Sequence, residues 1–304
     1  MRVVVGEETG EVVGRARRAT PEGPDGSAIV SAVEDTIREA CEAADRDPAD
    51  VVAAGIGAVG PLDLRAGAIV DPVNLPGVER VDLVEPVARL LDADVRLHND
   101  ATAAAIGERF AAEDDPANLV YLTLSTGIGA GVIADGRALR GHRGNAAEIG
   151  HVTLDPDADV RCGCGAVGHW EALCSGANLP DHARAIADRG GETTLDLGDV
   201  SAAELLGATD GDPLAADLAD RVGTWNAIGV AMLVQAYDPA RVVIGGAVAR
   251  NHPETILEPI RERVPAHCLG SPPPIELTSL GDDAGVRGAL ASALTGGSGS
   301  RPER

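Results

Sequence analysis

Lysine is missing altogether: all 25 basic residues are arginine, set against 48 Asp and Glu, for a formal net charge of −23. Aromatic side chains make up only 2% of the 304 residues, so a core has to be built from Val, Ala, Leu and Ile. No run of eighteen apolar residues occurs, which argues against a membrane-spanning helix, and the first residues do not read as a signal peptide. A basic patch is lacking too, and a uniformly acidic surface repels nucleic acid and anionic membranes. The acid is dispersed rather than gathered into a tail, as in a folded chain. Screening of that charge in a high-salt cytoplasm makes a cytoplasmic protein of a halophilic source the expectation. Five cysteines, two of them in a Cys-X-Cys, speak for metal chemistry in a reducing compartment and against a disulfide framework. Cys41, Cys174 and Cys268 read as buried or inert thiols.

What is present is an alternation of strands and helices with glycines after the strands. A hairpin is expected over Val3–Val5 and Val12–Ala16, and a helix over Ser27–Ala44 with Ile29, Val33, Ile37, Ala40 and Cys41 on one face. Strands follow at 51–56, 95–97, 119–124, 130–134, 241–244 and 275–279. Helices are expected at 81–91, 101–112, 253–263 and 284–294, with a mostly helical stretch from 179 to 237. The tail GGSGSRPER, residues 296–304, reads as flexible. Such a pattern predicts an α/β fold with ligands at the carboxyl ends of the strands.

Most of the chemistry is concentrated between Glu148 and Gly176, in EIGHVTLDPDADVRCGCGAVGHWEALCSG. Cys162, Cys164 and His169 lie close together, and His151 is eleven residues upstream of Cys162. Zinc takes four nitrogen or sulfur ligands in a tetrahedron, and a Cys-Gly-Cys turn lets two thiolates face one ion. With four protein ligands no position is left for water, so the expected zinc is structural. Elsewhere, Asn99-Asp100 follows a strand and opens a helix. Taken by itself Asp100 reads as the N-cap of helix 101–112, although a carboxylate at such a place can also accept the proton of an attacking hydroxyl. Thr126, Gly127, Gly129 and Gly131 occupy a hairpin tip where backbone N–H groups can approach a phosphate. Gly245-Gly246 ends another strand.

The run ExGH…CxCGxxGHxE…SG, with HNDATAA before it, resembles the signature of the ROK family of repressors, open reading frames and sugar kinases. That signature ends CxCGxxGC, where this chain has His169, itself a competent zinc ligand. The resemblance extends over almost the whole chain from Val12 onward. It implies two ribonuclease-H-like lobes of the actin/hexokinase type with a small zinc knuckle and the active cleft between the lobes. The small lobe would span 1–105 plus the last helix, 284–295, and the large lobe 106–283 with the zinc segment 148–176. It further implies ATP-dependent phosphorylation of a hexose, glucose foremost, with fructose or an N-acylated hexosamine as alternatives. Asp100 becomes the catalytic base, and Asn99, Glu148, His151 and Glu171 hold the sugar, with Gly60 and Asn74 lining it. His151 would serve zinc with one ring nitrogen and a sugar hydroxyl with the other. Thr126, Gly127, Gly129 and Gly131 become the second phosphate motif, Gly245 and Gly246 the adenosine motif. ATP with Mg²⁺, structural Zn²⁺ and a homodimer or homotetramer complete the expectation. Members open on a strand ending D-(I/L)-G-(G/A)-T-(K/N), the first phosphate loop, whereas MRVVVGEETGEVVG corresponds to the residues just after it. Either a start further upstream or a relative that senses sugar without phosphorylating it is expected, the first being favoured because the other parts of the site agree with one another.

Overall fold

The computed structural model describes residues 1–72 and 75–300. In chain order, β1 (Arg2–Gly6) and β2 (Val12–Arg17) form the expected hairpin, followed by α1 (Gly26–Ala43) and β3 (Ala53–Ala58). Three short strands, β4 (Leu62–Asp63), β5 (Ala68–Val70) and β6 (Arg80–Asp82), precede α2 (Val84–Leu91), β7 (Asp94–Asn99) and α3 (Asp100–Ala111). Then come β8 (Leu119–Leu124), β9 (Ile128–Ala134), β10 (Arg137–Ala138) and α4 (Trp170–Cys174). The stretch expected to be mostly helical resolves into α5 (Leu179–Asp188), α6 (Ala202–Gly207) and α7 (Pro213–Tyr237). The chain continues through β11 (Arg241–Gly245), α8 (Ala247–Asn251), α9 (Pro253–Arg263), β12 (Ile275–Leu277) and α10 (Ala284–Thr295).

Two compact units emerge. One comprises Met1–Ala117, Gly131–Ala146 and Asp283–Arg304, the other Asn118–Ala130 and Ala147–Asp282. Helix α3 belongs with α10 in the first unit, a boundary that differs from a division at residue 105. The cause is the contact between the two helices. A Cβ at Gly107 would stand 2.8 Å from the Gly288 nitrogen, and one at Gly288 would overlap the Ala103 carbonyl. Alanine and glycine on both helices therefore bring the backbones together.

Within the first unit, β3 and β7 pair in parallel from Ala53↔Asp94 to Ala58↔Asn99. Helix α1 starts where Asp25 accepts the Ser27 N–H at 2.8 Å, and its buried Ile37 and Cys41 pack with Val87 and Leu91 of α2. A second cluster joins Ile29 to Leu62, Ile69, Val81 and Leu97. The antiparallel sheet β4-β5-β6 has no counterpart in the sequence expectation, which continued α2 back to Val81. Its turn is local: Asp63 Oδ1 accepts the N–H groups of Arg65 and Ala66, both at 3.0 Å.

A five-stranded sheet has the order β10-β9-β8-β11-β12, with β8, β11 and β12 parallel and β10 antiparallel to β9. In the second unit Trp170 is fully buried and its Nε1–H donates to Asn226 Oδ1 at 2.8 Å, fastening α4 to α7. The acidic segment before α7 is tied down by Asp212, which accepts N–H groups of Thr194 at 2.7 Å and Ala215 at 3.1 Å. The stretch 296–300 corrects the expectation of a flexible tail. Buried Arg109 donates to the Ser298 carbonyl at 3.0 Å, and the Ser300 hydroxyl to Asp115 at 2.6 Å. Residues 301–304 lie outside those described. Among the described residues no helix is long and apolar enough to cross a membrane.

Candidate functional site

Strand β7 buries Leu97 and His98 and then delivers Asn99 and Asp100 at its carboxyl end. Asn99, not Asp100, is the N-cap of α3: its Oδ1 accepts the N–H groups of Ala101 at 2.9 Å and Thr102 at 3.4 Å. Using the oxygen in this way leaves the Asn99 amide nitrogen without a partner among the described residues. Asp100 is the first residue of the helix, and its Oδ1 also accepts from Ala101 N–H, at 2.8 Å. The residue is exposed to solvent. Partial desolvation raises its carboxyl above the ordinary aspartate value, against the Ala101 hydrogen bond.

The segment from Glu148 onward is irregular backbone held by short-range contacts. Exposed Glu148 precedes a single 3-10 turn, Ile149–His151. Isolated bridges pair Thr153 with His169 and Arg161 with Val167. The Cys162 N–H donates to the Ala166 carbonyl and the Gly165 N–H to the Cys162 carbonyl, both at 2.8 Å. Gly168 has φ +66°, and a Cβ there would overlap the Asp155 carbonyl. Only glycine closes this turn.

His151, Cys162, Cys164 and His169 each present one ligand atom, and these atoms lie within 4.8 Å of one another. Cys162 Sγ is 3.5 Å from His151 Nδ1, and Cys164 Sγ is 3.3 Å from His169 Nδ1. A tetrahedral zinc with its usual bond lengths sets neighbouring ligand atoms about 3.3–3.8 Å apart, so the donor set suits such an ion. Burial pushes the Cys162 thiol up to about 12, a state a bound cation would reverse. Burial, and next to it His151, holds His169 below its ordinary value, as a neutral ligand requires.

Glu171 joins this cluster to the glycine hairpin. Its Oε2 accepts the Ile128 N–H at 2.9 Å, and its Oε1 lies 3.7 Å from Cys162 Sγ. A Cβ at Gly127 would come within 2.7 Å of the same Oε2. Thr126 is exposed at the tip, its carbonyl accepting from Ala177 N–H at 3.1 Å, and Gly129 follows on β9. Gly131 answers a packing demand: a Cβ there would overlap the Ala101 carbonyl at the start of α3. Gly245 is pressed against the Tyr121 hydroxyl, and Gly246, at φ +91°, begins α8. Gly60 leads into Leu62, whose N–H donates to Asn145 Oδ1 at 2.9 Å while Asn145 Nδ2 donates to its carbonyl at 3.2 Å. Sequence reading passed over Asn145; an amide inside the glycine-rich GHRGNAAEIGH was its only signal. Asn74 lies outside the described residues.

Known proteins resemble this chain in sequence and fold. Residues 1–295 match the model of the ROK family. A glucokinase of Aeropyrum pernix is 40% identical over 255 residues, covering 79% of this chain and 78% of its own. One of Pyrobaculum calidifontis is 35% identical over 244 residues, covering 80% and 79%. Among solved structures, a ROK family glucokinase from Streptomyces griseus in complex with glucose and AMPPNP superposes with a TM-score of 0.76 at 31% identity, over 95% of this chain and 94% of that one. The ROK hexokinase of Thermus thermophilus gives 0.78 at 33% identity, over 96% and 98%. With the family matched over nearly its whole length and the α/β fold of the actin/hexokinase type shared with those kinases, the chain belongs to the ROK family.

Proposed function

We propose that this protein is an ATP-dependent hexose kinase that converts glucose to glucose 6-phosphate. The observation that carries the reading is the β7–α3 junction, where Asp100 stands solvent-accessible with a raised pKa beside an asparagine whose amide nitrogen is free to donate. Glucokinase relatives 30–40% identical over most of the chain support glucose as the substrate. In this reading Asp100 takes the proton of the sugar 6-hydroxyl as it attacks the γ-phosphoryl group. Asn99, Glu148, His151 and Glu171 hold the hydroxyls, since a buried hydroxyl left unpaired is costly, and Gly60 and Asn74 line the sugar. Backbone N–H groups around Thr126, Gly127 and Gly129 face the phosphates, with Gly131 keeping β9 close to α3. Gly245 and Gly246 leave room for the adenosine. Mg²⁺, bound with ATP, would supply a counter-charge for the transferring group.

We also propose that His151, Cys162, Cys164 and His169 hold a structural zinc. Its support is the mutual spacing of the four donors. Zinc would fix the His151 ring, and through Cys162 and Glu171 the knuckle would brace the hairpin tip.

A coupled assay of ATP consumption with Mg²⁺ at high salt, run over a panel of hexoses, tests the kinase reading. Glucose is expected to be the preferred acceptor. An N-acetylmannosamine kinase of Yersinia pestis is 34% identical over 81% of this chain, so preference for an N-acylated hexosamine would redirect the substrate assignment. Hexose binding without ATP consumption would overturn the kinase reading in favour of a sugar sensor. Metal analysis of the purified protein tests the zinc reading, with one zinc per chain expected and none after Cys162→Ser.

A further inference from the structure

In the first unit a cavity of about 510 Å³ lies among β7, the β10 segment and the turn that ends α10. Its lining includes Arg96, Arg137 and Arg140 and not one carboxylate. That composition is unusual for this chain, where Asp and Glu number 48 against 25 arginines. Arg15, Arg18, Arg250 and Arg263 each meet a carboxylate. Among the described residues Arg96, Arg137 and Arg140 meet none, although a guanidinium is readily satisfied by a bidentate acid.

His98, only 4% exposed, also lines the cavity. Its Nε2 is 2.7 Å from the Ser292 hydroxyl, and its Nδ1 is buried with no partner. Whichever ring nitrogen carries the proton, Nδ1 is left without a partner among the described residues. Such an unpartnered buried polar atom is rare in folded proteins. Burial, with the fields of Arg140 and Arg96, holds the His98 pKa at about 4, so the ring is neutral and sits in a positive field. The C-terminus of α10 beside Gly297 opposes that field with only about half a negative charge, against three full positive ones.

We propose that this cavity binds a small phosphate-bearing anion, with Arg96, Arg137 and Arg140 as its charge partners. A phosphate presents oxygens in several directions and can accept from three separate guanidinium groups at once. The two coplanar oxygens of a carboxylate are met by one or two such donors. The three arginines reach the solvent-exposed side of the cavity, so a ligand can enter without opening the fold. The site is independent of the phosphate-facing glycines assigned above.

Calorimetric titration of the whole protein with inorganic phosphate and with glycerol 3-phosphate, at low chloride, is the test, with succinate for comparison. Saturable binding of both phosphates is expected, with succinate weaker. Arg96→Gln and Arg140→Gln should each weaken phosphate about tenfold or more, while Arg17→Gln on β2 leaves it unchanged. Because all three side chains are exposed, these variants keep the fold, which melting curves check. A second readout is the ¹⁵N resonance of the His98 ring, whose pKa should rise once phosphate screens Arg140 and Arg96. Absence of saturable binding overturns the proposal. So does binding that the arginine variants leave intact with the His98 resonance unmoved, since the anion would then sit elsewhere.

Discussion

At the β7–α3 junction two polar side chains stand where a regular strand becomes a regular helix, and ordinary packing holds them. Most of α3 is buried, Asn99 caps its first turn, and the close approach of Gly107 to Gly288 sets its distance from α10. Between Cys162 and His169 almost none of this applies. Gly163, Cys164 and Gly165 are exposed, the backbone has only isolated bridges, and little apolar surface is buried between Cys162 and Trp170. Apolar burial supplies order at the rate of about 25 cal/mol per Å², and this segment has little surface to bury. Its geometry rests on a few turn hydrogen bonds and, in the proposed zinc reading, on four side chains that converge on one ion. The junction should therefore tolerate changes in its reacting groups without loss of structure, whereas the knuckle should lose its shape with any one of its donors.

The largest expected effect lies at the junction. Asp100→Asn should lower kcat by about 10²–10⁴-fold, the usual worth of a general base, with the melting temperature unchanged or raised. The sign follows from the raised pKa of Asp100. Above that value the native state carries a charge the unfolded chain solvates better, so removing the charge relieves a penalty at neutral pH. At pH below the ordinary aspartate value both states are protonated and the advantage of the amide disappears. The kcat of the native protein should likewise fall as pH drops through that raised value. Normal turnover in the amide variant would show that the base is another group.

At the knuckle, if the four donors hold zinc as proposed, Gly168→Ala and Cys162→Ser should release it. The hexose KM is then expected to rise about 10–100-fold as the His151 ring loses its anchor, the usual scale for groups that orient a ligand. A chelator should reproduce the effect in the native protein, and acid should do so too, because ligands must be deprotonated to bind. The contrast would break if either variant retained zinc, or if chelation changed kcat as strongly as Asp100→Asn does.

Legibility in the sequence follows the same division by range. The knuckle was visible because its four donors fall within nineteen residues, His151–His169, and glycines mark its turns. Helices α1, α3 and α9 and strand β8 were visible because each is long enough to show a period or a clean apolar run. Strands β4, β5 and β6, of two or three residues, are too short for a period of two to register, and their sheet depends on pairings such as Leu62↔Ile69 and Ile69↔Val81. The capping role was assigned to Asp100 when Asn99 holds it, since both residue types cap well and only the geometry separates them. The arginine-lined cavity draws residues near 96, 137–140 and 296–298 together, and nothing in their separate stretches indicates it.

The smallest predicted effect sharpens the comparison most, because Asn99 is asked to do two things with one side chain. Its oxygen caps α3 at the Ala101 and Thr102 N–H groups, and in the proposed reading its nitrogen donates to the sugar. Asn99→Ala removes both and should cost about 0.5–2 kcal/mol of stability, as lost caps do. Asn99→Ser keeps a capping oxygen, and serine caps as well as asparagine to within a few tenths of a kcal/mol. What serine loses is reach towards the substrate. Thermal melts should then place Asn99→Ser beside the native protein and below it only for Asn99→Ala. Both should raise the hexose KM by about tenfold, the value of one hydrogen bond of about 1.4 kcal/mol. If KM instead follows stability, rising for alanine and not for serine, Asn99 acts only by holding the first turn of α3, and Asp100 owes its position to that cap alone.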